Sequence, residues 1–404
     1  MPFDFSFTRE QELFRRTCRD FFREEIEPTV ERVDEEEAFP EENIRKIAEM
    51  GLMGVPAPRE YGGGGMGEVG YAIMLEELGR VCSAHATIVG AHIGLCVTPL
   101  WLYGTEEQRR EYLVPAARGE KLGAFALTEP AAGSDAGAIS TTADRRGEDF
   151  ILNGEKIFIT NGDRADIIIV FAVTEKMLGA AGGITAFIVE KGYPGFSVGK
   201  IEEKMGIKGS TTAELVFRDC RVPRENVLGP LGLGLIVALT TLDGGRCGLA
   251  AGTLGGAQAA LEAAVRFAKR RRRLGKPIAE NQAVQWMLAD TAMEIHAARY
   301  MVYHTATMVD EYYEMVARGE RVPRPFRELV TRDAAMVKTF CSEAATRAID
   351  RCLQIHGGLG CVEGFNVEKS FRDALIAEIY EGTNEIQRLI IARDVLEKGG
   401  YWAP

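Results

Sequence analysis

The sequence predicts an α+β protein, mostly α: an N-terminal helical domain, a central domain built as an antiparallel β-barrel or sandwich, and a C-terminal helical bundle. Three observations predict this. Apolar residues recur at helical spacing in the first and last thirds of the 404-residue chain. Between them, short β-favouring runs alternate with turn dipeptides. No long helical pattern interrupts those runs, which argues against a parallel βαβ sheet. At about 150 residues per domain the length accommodates two or three domains. The changes of texture place them at 1–121, 122–233 and 234–404.

In the N-terminal zone, Leu13, Phe14, Thr17, Cys18, Phe21 and Phe22 form one apolar stripe, with Thr8 as N-cap and Glu10 in the first turn. Further helical stretches follow around 43–50, 71–81 and 105–117. The central zone offers β-favouring runs at 124–127, 156–160, 167–173, 185–190 and 214–217. Asn153-Gly154, Asn161-Gly162 and Pro194-Gly195 supply turns between them. In the last zone Leu254, Ala257, Leu261, Val265 and Ala268 line one helix face. Val284, Leu288 and Thr291 open the next helix, which runs towards Val309. A third spans 332–353, a fourth follows the glycine-rich break at 357–364 and ends at Glu378, and a last covers 386–397. Long helices with short links pack as a bundle.

Composition excludes several classes. With 46% hydrophobic and 26% charged residues, the chain buries enough apolar surface to fold. Its net charge of −11 opposes non-specific binding to nucleic acid. No apolar run in the sequence approaches the ~20 residues of a membrane helix, so no membrane association is expected. The first residues show neither a secretory signal nor an Arg- and Ser-rich transit peptide, so a cytoplasmic, bacterial-type protein is expected. The eight cysteines form no Cys-x-x-Cys pair and the five histidines no His-Glu-x-x-His motif. The cysteines read as buried thiols in a reducing compartment, and no metal site is expected.

Two patterns mislead. Gly65-Met-Gly67-Glu-Val-Gly70 spells a dinucleotide fingerprint, but no strand precedes it, and a loop before a helix at Tyr71 is the better reading. Arg270-Arg-Arg-Arg273 lies at a helix end, where cations complement the helix dipole; together these charges also suit an anionic ligand.

Three segments carry chemistry. Ala126-Leu-Thr-Glu-Pro-Ala-Ala-Gly-Ser-Asp135 leaves a strand and enters a loop of small residues, whose backbone N–H groups can approach a ligand while Thr128 and Ser134 offer hydroxyls. Phe158 and Thr160, two apart on a strand, share a face and could line a flat heterocycle. In Ala377-Glu-Ile-Tyr-Glu-Gly-Thr-Asn-Glu-Ile-Gln-Arg388, Gly382 ends one helix and Asn384-Glu-Ile-Gln387 reads as a capping box opening the next. Glu381 thus sits on a tight junction, where its carboxylate can point into a cavity and act as a base with a raised pKa. Taken singly, each segment also reads as a turn, a core strand or a solvated acid.

Together the segments resemble the acyl-CoA dehydrogenase family of FAD flavoproteins, over the chain from Phe7 to about Leu396. The markers are Leu127-Thr-Glu-Pro-x-x-Gly-Ser-Asp135, Asn153-Gly-x-Lys156 leading to Ile159-Thr-Asn161, Met205-Gly-x-Lys208 with Gly209-Ser210, Gln354-x-x-Gly-Gly-x-Gly360, and Ile379-Tyr-Glu-Gly-Thr383 with Glu385-Ile-Gln-Arg388. The resemblance implies the same three-domain fold. It implies that a carboxylate takes the α-proton of an acyl-CoA thioester while the β-hydrogen leaves as hydride to flavin N5. Donors must be aimed at the thioester oxygen; the resemblance supplies the backbone N–H of Glu381 and a ribityl hydroxyl of the cofactor. Glu381 matches the base position of the short- and medium-chain branch. Relatives that carry the base elsewhere have it within the stretch 242–246, where this chain has Gly245 at the matching position.

The resemblance further implies that Leu127, Thr128, Gly133, Ser134, Phe158 and Thr160 contact FAD, with Ser134 near the pyrophosphate and the last two beside the isoalloxazine. Many relatives carry tryptophan where this chain has Phe158. Arg271 and Gln282 are implied to reach the FAD of a neighbouring subunit in a homotetramer. Gln354, Gly357 and Gly358 are assigned to the adenosine side, and Thr383 and Glu385 to the pyrophosphate region. Ser134, Asp243, Arg246, Glu381 and Gly382 are assigned to the substrate. The implied partners are an acyl-CoA and an electron-transfer flavoprotein. An acyl-CoA oxidase, a nitroalkane oxidase-like relative and a catalytically silent acyl-CoA-binding scaffold are the alternatives. The missing extra C-terminal domain weighs against the first, Glu381 in place of aspartate against the second, and the intact base and loops against the third. Ala91-His-Ile-Gly-Leu-Cys96 and Glu381 look more like the short- and branched-chain members, which suggests a C4–C6 acyl group.

Overall fold

The computed structural model describes residues 6–364 and 366–399; the outermost ends of the two helical domains read from sequence, 1–5 and 400–404, lie outside them. Thr8 caps helix α1 (Arg9–Phe21) through a capping box with Gln11. The buried face of α1 is narrower than the sequence stripe: Cys18 and Phe22 are buried, while Leu13 and Thr17 face solvent. Helix α2 spans Glu41–Glu49 and α3 spans Gly67–Val81. The glycines of the false fingerprint lead into α3 with no strand before them, and Asp310 accepts from the Glu68 N–H at its first turn.

Helix α4 (Ser83–His92) runs on without interruption to Tyr103. The sequence reading missed it, because a helix apolar all round shows no 3.6-residue stripe. It also corrects the expectation about apolar length. Ser83–Tyr103 is long and apolar enough to cross a membrane, yet 72% of its most apolar window is buried inside the protein. Its two histidines are core groups with partners: His85 meets Asn43, and His92 meets the Ala116 carbonyl and the Gly123 N–H.

The central zone folds into one eight-stranded sheet: β1 (Gly123–Ala126), β2 (Thr142–Arg146), β3 (Asp149–Thr160), β4 (Ile167–Val173), β5 (Ile184–Glu190), β6 (Phe196–Ile201), β7 (Thr212–Val222) and β8 (Val227–Leu228). The order is β6-β7-β3-β2-β4-β5-β8, with β1 beside β4. Most pairs are antiparallel, but β1 runs parallel to β4, and β2 touches β4 in parallel at Thr142 and Val173. The sheet is therefore mixed rather than purely antiparallel. The β2–β3 hairpin separates β1 from β4 in sequence and gives the chain room for a parallel return without a helix. The sheet curls so that Ile168, Val170 and Phe187 share one core with Leu152, Leu215 and Phe217. The opposite faces of β4 and β5, with Ile167, Ile169 and Ile188, pack on the helix that includes Val97 and Leu100.

The C-terminal zone holds α5 (Gly234–Arg270), α6 (Gln282–Ala317), α7 (Arg324–His356), α8 (Asn366–Ala374) and α9 (Asn384–Glu397). At ~1.5 Å per residue, the 37 residues of α5 span about 55 Å. It crosses α3 at backbone contact: a Cβ on Gly79 would lie 2.1 Å from the Gly252 carbonyl oxygen, and one on Gly255 2.0 Å from that of Glu76. The small residues along α5 are what let the N-terminal domain seat on the bundle. Seven of the cysteines are buried thiols; Cys361 is exposed.

Candidate active site

A cavity of about 630 Å³ opens where the three zones meet, between α3, α5, the loop after β1, the end of β3 and the residues before α9. On the β side, the loop carrying Leu127, Thr128, Gly133 and Ser134 lines it. The loop is anchored from beneath by Glu129. That buried carboxylate accepts from the Ser140 N–H and hydroxyl, from the Thr141 N–H and from the ammonium of Lys156 at 2.7 Å. Lys156, itself fully buried, also donates to the Leu127 carbonyl. These donors hold the Glu129 carboxyl down at about 2 against the desolvation that would raise it. Among the described residues, the N–H groups of Gly133 and Ser134 donate to no backbone carbonyl, so they remain available at the lip of the cavity.

Strand β3 is bulged between Lys156 and Ile159, where its register against β7 shifts. The bulge re-aims Phe158, which takes a left-handed φ of 58° and is 61% exposed along the cavity wall. A bulky side chain held in that region costs about 1–3 kcal/mol, and strain of this kind clusters at ligand sites. Thr160, two residues on, also lines the cavity. An exposed aromatic beside a hydroxyl, next to free backbone donors and a polar loop, fits a large planar cofactor carrying an anionic tail.

On the helical side, Glu381 has φ 54° and Gly382 φ 90°. This left-handed turn is held through its carbonyls. Arg246 donates to the Glu381 carbonyl, Gln387 to both, and Lys338 to that of Gly382 at 2.9 Å. The Glu381 N–H donates to no backbone carbonyl among the described residues. The Glu381 carboxylate lines the cavity, and its buried Oε2 has no hydrogen-bond partner among them. Burial raises the carboxyl to about 7, against the pull of Arg246 and Lys338. A Cβ on Gly245 would lie 2.7 Å from Glu381 Oε2, so a larger residue there would push the carboxylate from its present position.

The structure brings Leu127, Thr128, Gly133, Ser134, Phe158, Thr160, Arg246, Glu381, Gly382 and Thr383 to one cavity. Other expected positions lie outside it. Asp243 does not line it: one oxygen accepts from Arg246 at 3.0 Å and the other from Thr331, so it holds Arg246 in place. Glu385 is exposed on α9 and outside the cavity lining. Arg271, Gln282, Gln354, Gly357 and Gly358 are exposed and do not line it either. They flank one end of the bundle, where Phe267 stacks on His356 at 4.4 Å.

The expected capping box is also corrected. Thr383 is the N-cap of α9 and accepts from the Ile386 N–H, while Asn384 and Gln387 are buried and turn inward. The Asn384 carboxamide oxygen accepts from Lys338, which the sequence reading passed over. So did it Lys156 and Glu129 as an ion pair, although both stand in quoted motifs. Their spacing of 27 residues gives no local signal; a lysine at an otherwise inward-facing strand position was the available clue.

Models of the acyl-CoA dehydrogenase N-terminal, middle and C-terminal domains match residues 8–120, 124–220 and 232–396. The chain is 45% identical over 397 residues to acryloyl-CoA reductase (NADH) of Anaerotignum propionicum, covering 98% of this chain and 96% of that protein. It superposes on butyryl-CoA dehydrogenase from Megasphaera elsdenii with a TM-score of 0.91 at 43% identity, covering 98% of this chain and 100% of the other. An acyl-CoA dehydrogenase from Bacillus anthracis, solved in complex with FAD, gives a TM-score of 0.90 at 38% identity, with 98% of this chain and 68% of that one covered. With a glutamate packed against a glycine beside a cavity shared by all three domains, and a matching model for each, this chain belongs to the acyl-CoA dehydrogenase family.

Proposed function

We propose that this protein is an FAD-dependent acyl-CoA dehydrogenase that converts a short- or branched-chain acyl-CoA to its trans-2-enoyl-CoA, with Glu381 as the base and an electron-transfer flavoprotein as acceptor. The observation that carries the reading is the unpartnered Oε2 of Glu381, aimed at the space that Gly245 keeps open. A carboxyl raised to about 7 by burial is poised near neutral pH to accept a weakly acidic α-proton. FAD, when bound, supplies the hydride acceptor. The loop around Gly133 and Ser134 would hold its pyrophosphate, and Phe158 and Thr160 its ring system. The free Glu381 N–H is a donor for the thioester oxygen as charge develops there. The cavity is walled by apolar residues such as Tyr71, Leu75 and Leu249, which exclude water from the proton transfer. The butyryl-CoA dehydrogenase relative supports the short acyl group.

Glu381→Gln tests the reading. It keeps the shape of the side chain and removes the proton acceptor, so FAD and acyl-CoA should still bind. Reduction of the flavin by butyryl-CoA, followed as loss of its visible absorbance, should slow by at least ~10²–10⁴-fold. Bleaching at close to the wild-type rate would place the base elsewhere. A second reading, reduction of an enoyl-CoA, is favoured by the acryloyl-CoA reductase among the relatives; Glu381 would then return the proton to the same carbon. Comparing turnover of butyryl-CoA with an oxidising dye and of crotonyl-CoA with a reducing one separates the two directions.

A further inference from the structure

Two cations stand near the Glu381 carboxylate, and they differ in one respect. Arg246, on α5, is paired: its guanidinium meets Asp243 at 3.0 Å and is also tied to the Glu381 carbonyl. Lys338, on α7, is fully buried and no carboxylate lies within ion-pair distance of it among the described residues. Its ammonium donates only to neutral acceptors, the Gly382 carbonyl at 2.9 Å and the Asn384 carboxamide oxygen at 2.8 Å. Asn384 is fixed in turn by Ser342 and Glu343. A buried lysine without a counter-ion is costly and is rarely retained for stability alone.

We infer that Lys338 is a positioning residue for the reaction. It clamps the left-handed Glu381–Gly382 turn through the Gly382 carbonyl, and its charge, unpaired by any other carboxylate, favours the ionised form of Glu381 against the burial that opposes it. This rests on Glu381 being the base. The remaining charged and titratable groups around the pair are Arg246 with Asp243 on α5, Glu378 and Tyr380 before the turn, Glu385 on α9 and Tyr71 on α3. Glu378 is bonded to Thr346, and Glu385 is exposed. Burial lowers the Lys338 ammonium to about 8 and the Glu381 carboxylate pulls it back up, so each group favours the charged form of the other.

Two variants separate the charge from the clamp. Lys338→Gln keeps a donor for the Gly382 carbonyl and removes the charge. Asn384→Asp keeps the length of the Asn384 side chain and places a carboxylate directly on the ammonium, cancelling its field at the cost of the donors to Ser342 and Glu343. In FAD-loaded enzyme reduced by butyryl-CoA, both should move the acidic limb of the flavin-reduction rate upward by about one unit. Well below the limb this is about a tenfold loss of rate. Lys338→Arg should leave the limb in place. The carboxyl stretch that titrates in the infrared spectrum of wild type and is absent in Glu381→Gln reads the same shift without turnover.

An unmoved limb and an unmoved stretch in either folded variant would overturn the inference, whatever happens to the rate. A rate loss with an unmoved limb would mean a structural role only. The base assignment is judged separately, by Glu381→Gln. If that variant bleaches normally the parent reading fails, and if it does not while the Lys338 and Asn384 variants leave the limb unmoved, only the role of Lys338 fails.

Discussion

The geometry of this site is decided by a pair of residues that share one space. Glu381 occupies it, and Gly245 leaves it empty. Gly245→Ala adds a single methyl, which would stand 2.7 Å from Glu381 Oε2 and 3.0 Å from Leu95. Because α5 is fixed by backbone contact with α3, the carboxylate must give way. The variant should fold and bind FAD, yet reduce its flavin at least tenfold more slowly, since small misplacements of a reacting group are costly. An unchanged rate would show that the base has other room. The second expectation at this scale concerns pH. With the Glu381 carboxyl at about 7 in the unliganded protein, kcat/KM should fall as pH drops through 7, because protonation removes the base. In Glu381→Asp the limb should move, and in Glu381→Gln it should vanish along with the rate. A limb that survives Glu381→Gln would belong to another group. Glu381 was legible from its motif and its glycine neighbour. Lys338 was not, because its partners at 382 and 384 are contacts across 44 and 46 residues with no periodic signature.

At the scale of elements, the site depends on a loop and a strand locked together by a buried ion pair. Glu129 and Lys156 join the loop after β1 to β3 just before the bulge that turns Phe158 outward. Breaking a buried pair by removing one charge typically costs about 3–5 kcal/mol, so Glu129→Gln should lower the denaturant midpoint markedly and release FAD at lower denaturant than wild type. Retention of both would mean that the three backbone and hydroxyl donors hold the loop alone. The sign of the pH effect follows. The folded carboxyl of Glu129 sits at about 2, below the ~4.3 of an unperturbed glutamate. Its stabilisation is therefore present above that ordinary value and lost as pH falls towards 2. The strands themselves were readable where they alternate or run apolar, as in β4 and β5. The bulge and the parallel return of β1 were not, because register is set by partners distant in sequence. The helix at 83–103 escaped for the opposite reason: it is buried on every side, so nothing in its pattern marks a face.

For the whole molecule, the three-zone order was visible in the sequence because each zone has its own period, but the single chain leaves part of the expected site stranded. Arg271, Gln282, Gln354, Gly357 and Gly358 stand exposed at one end of the bundle, outside the cavity. Beside them α6 presents Trp286, Met293 and Tyr300, 64%, 63% and 44% exposed, at seven-residue spacing on one helix face. Leu389 and Leu396 repeat that spacing on α9. An apolar stripe of this kind left in water marks an interface. We therefore expect a homo-oligomer in which this end of one bundle reaches the cofactor of another copy. The prediction separates the two features. If Arg271 reaches the pyrophosphate of a neighbouring copy, Arg271→Ala would remove a charge-assisted contact of about 1.5–3 kcal/mol and should lower FAD content while most of the assembly persists. Trp286→Glu places a charge in the stripe and should break the assembly, and with it FAD binding, although Trp286 itself need touch no cofactor. Light scattering and the flavin-to-protein absorbance ratio, measured on the same samples, read both. A monomeric Trp286→Glu that keeps its full complement of FAD would show that each chain completes its own site, and Arg271 and Gln282 would then have no part in holding the cofactor.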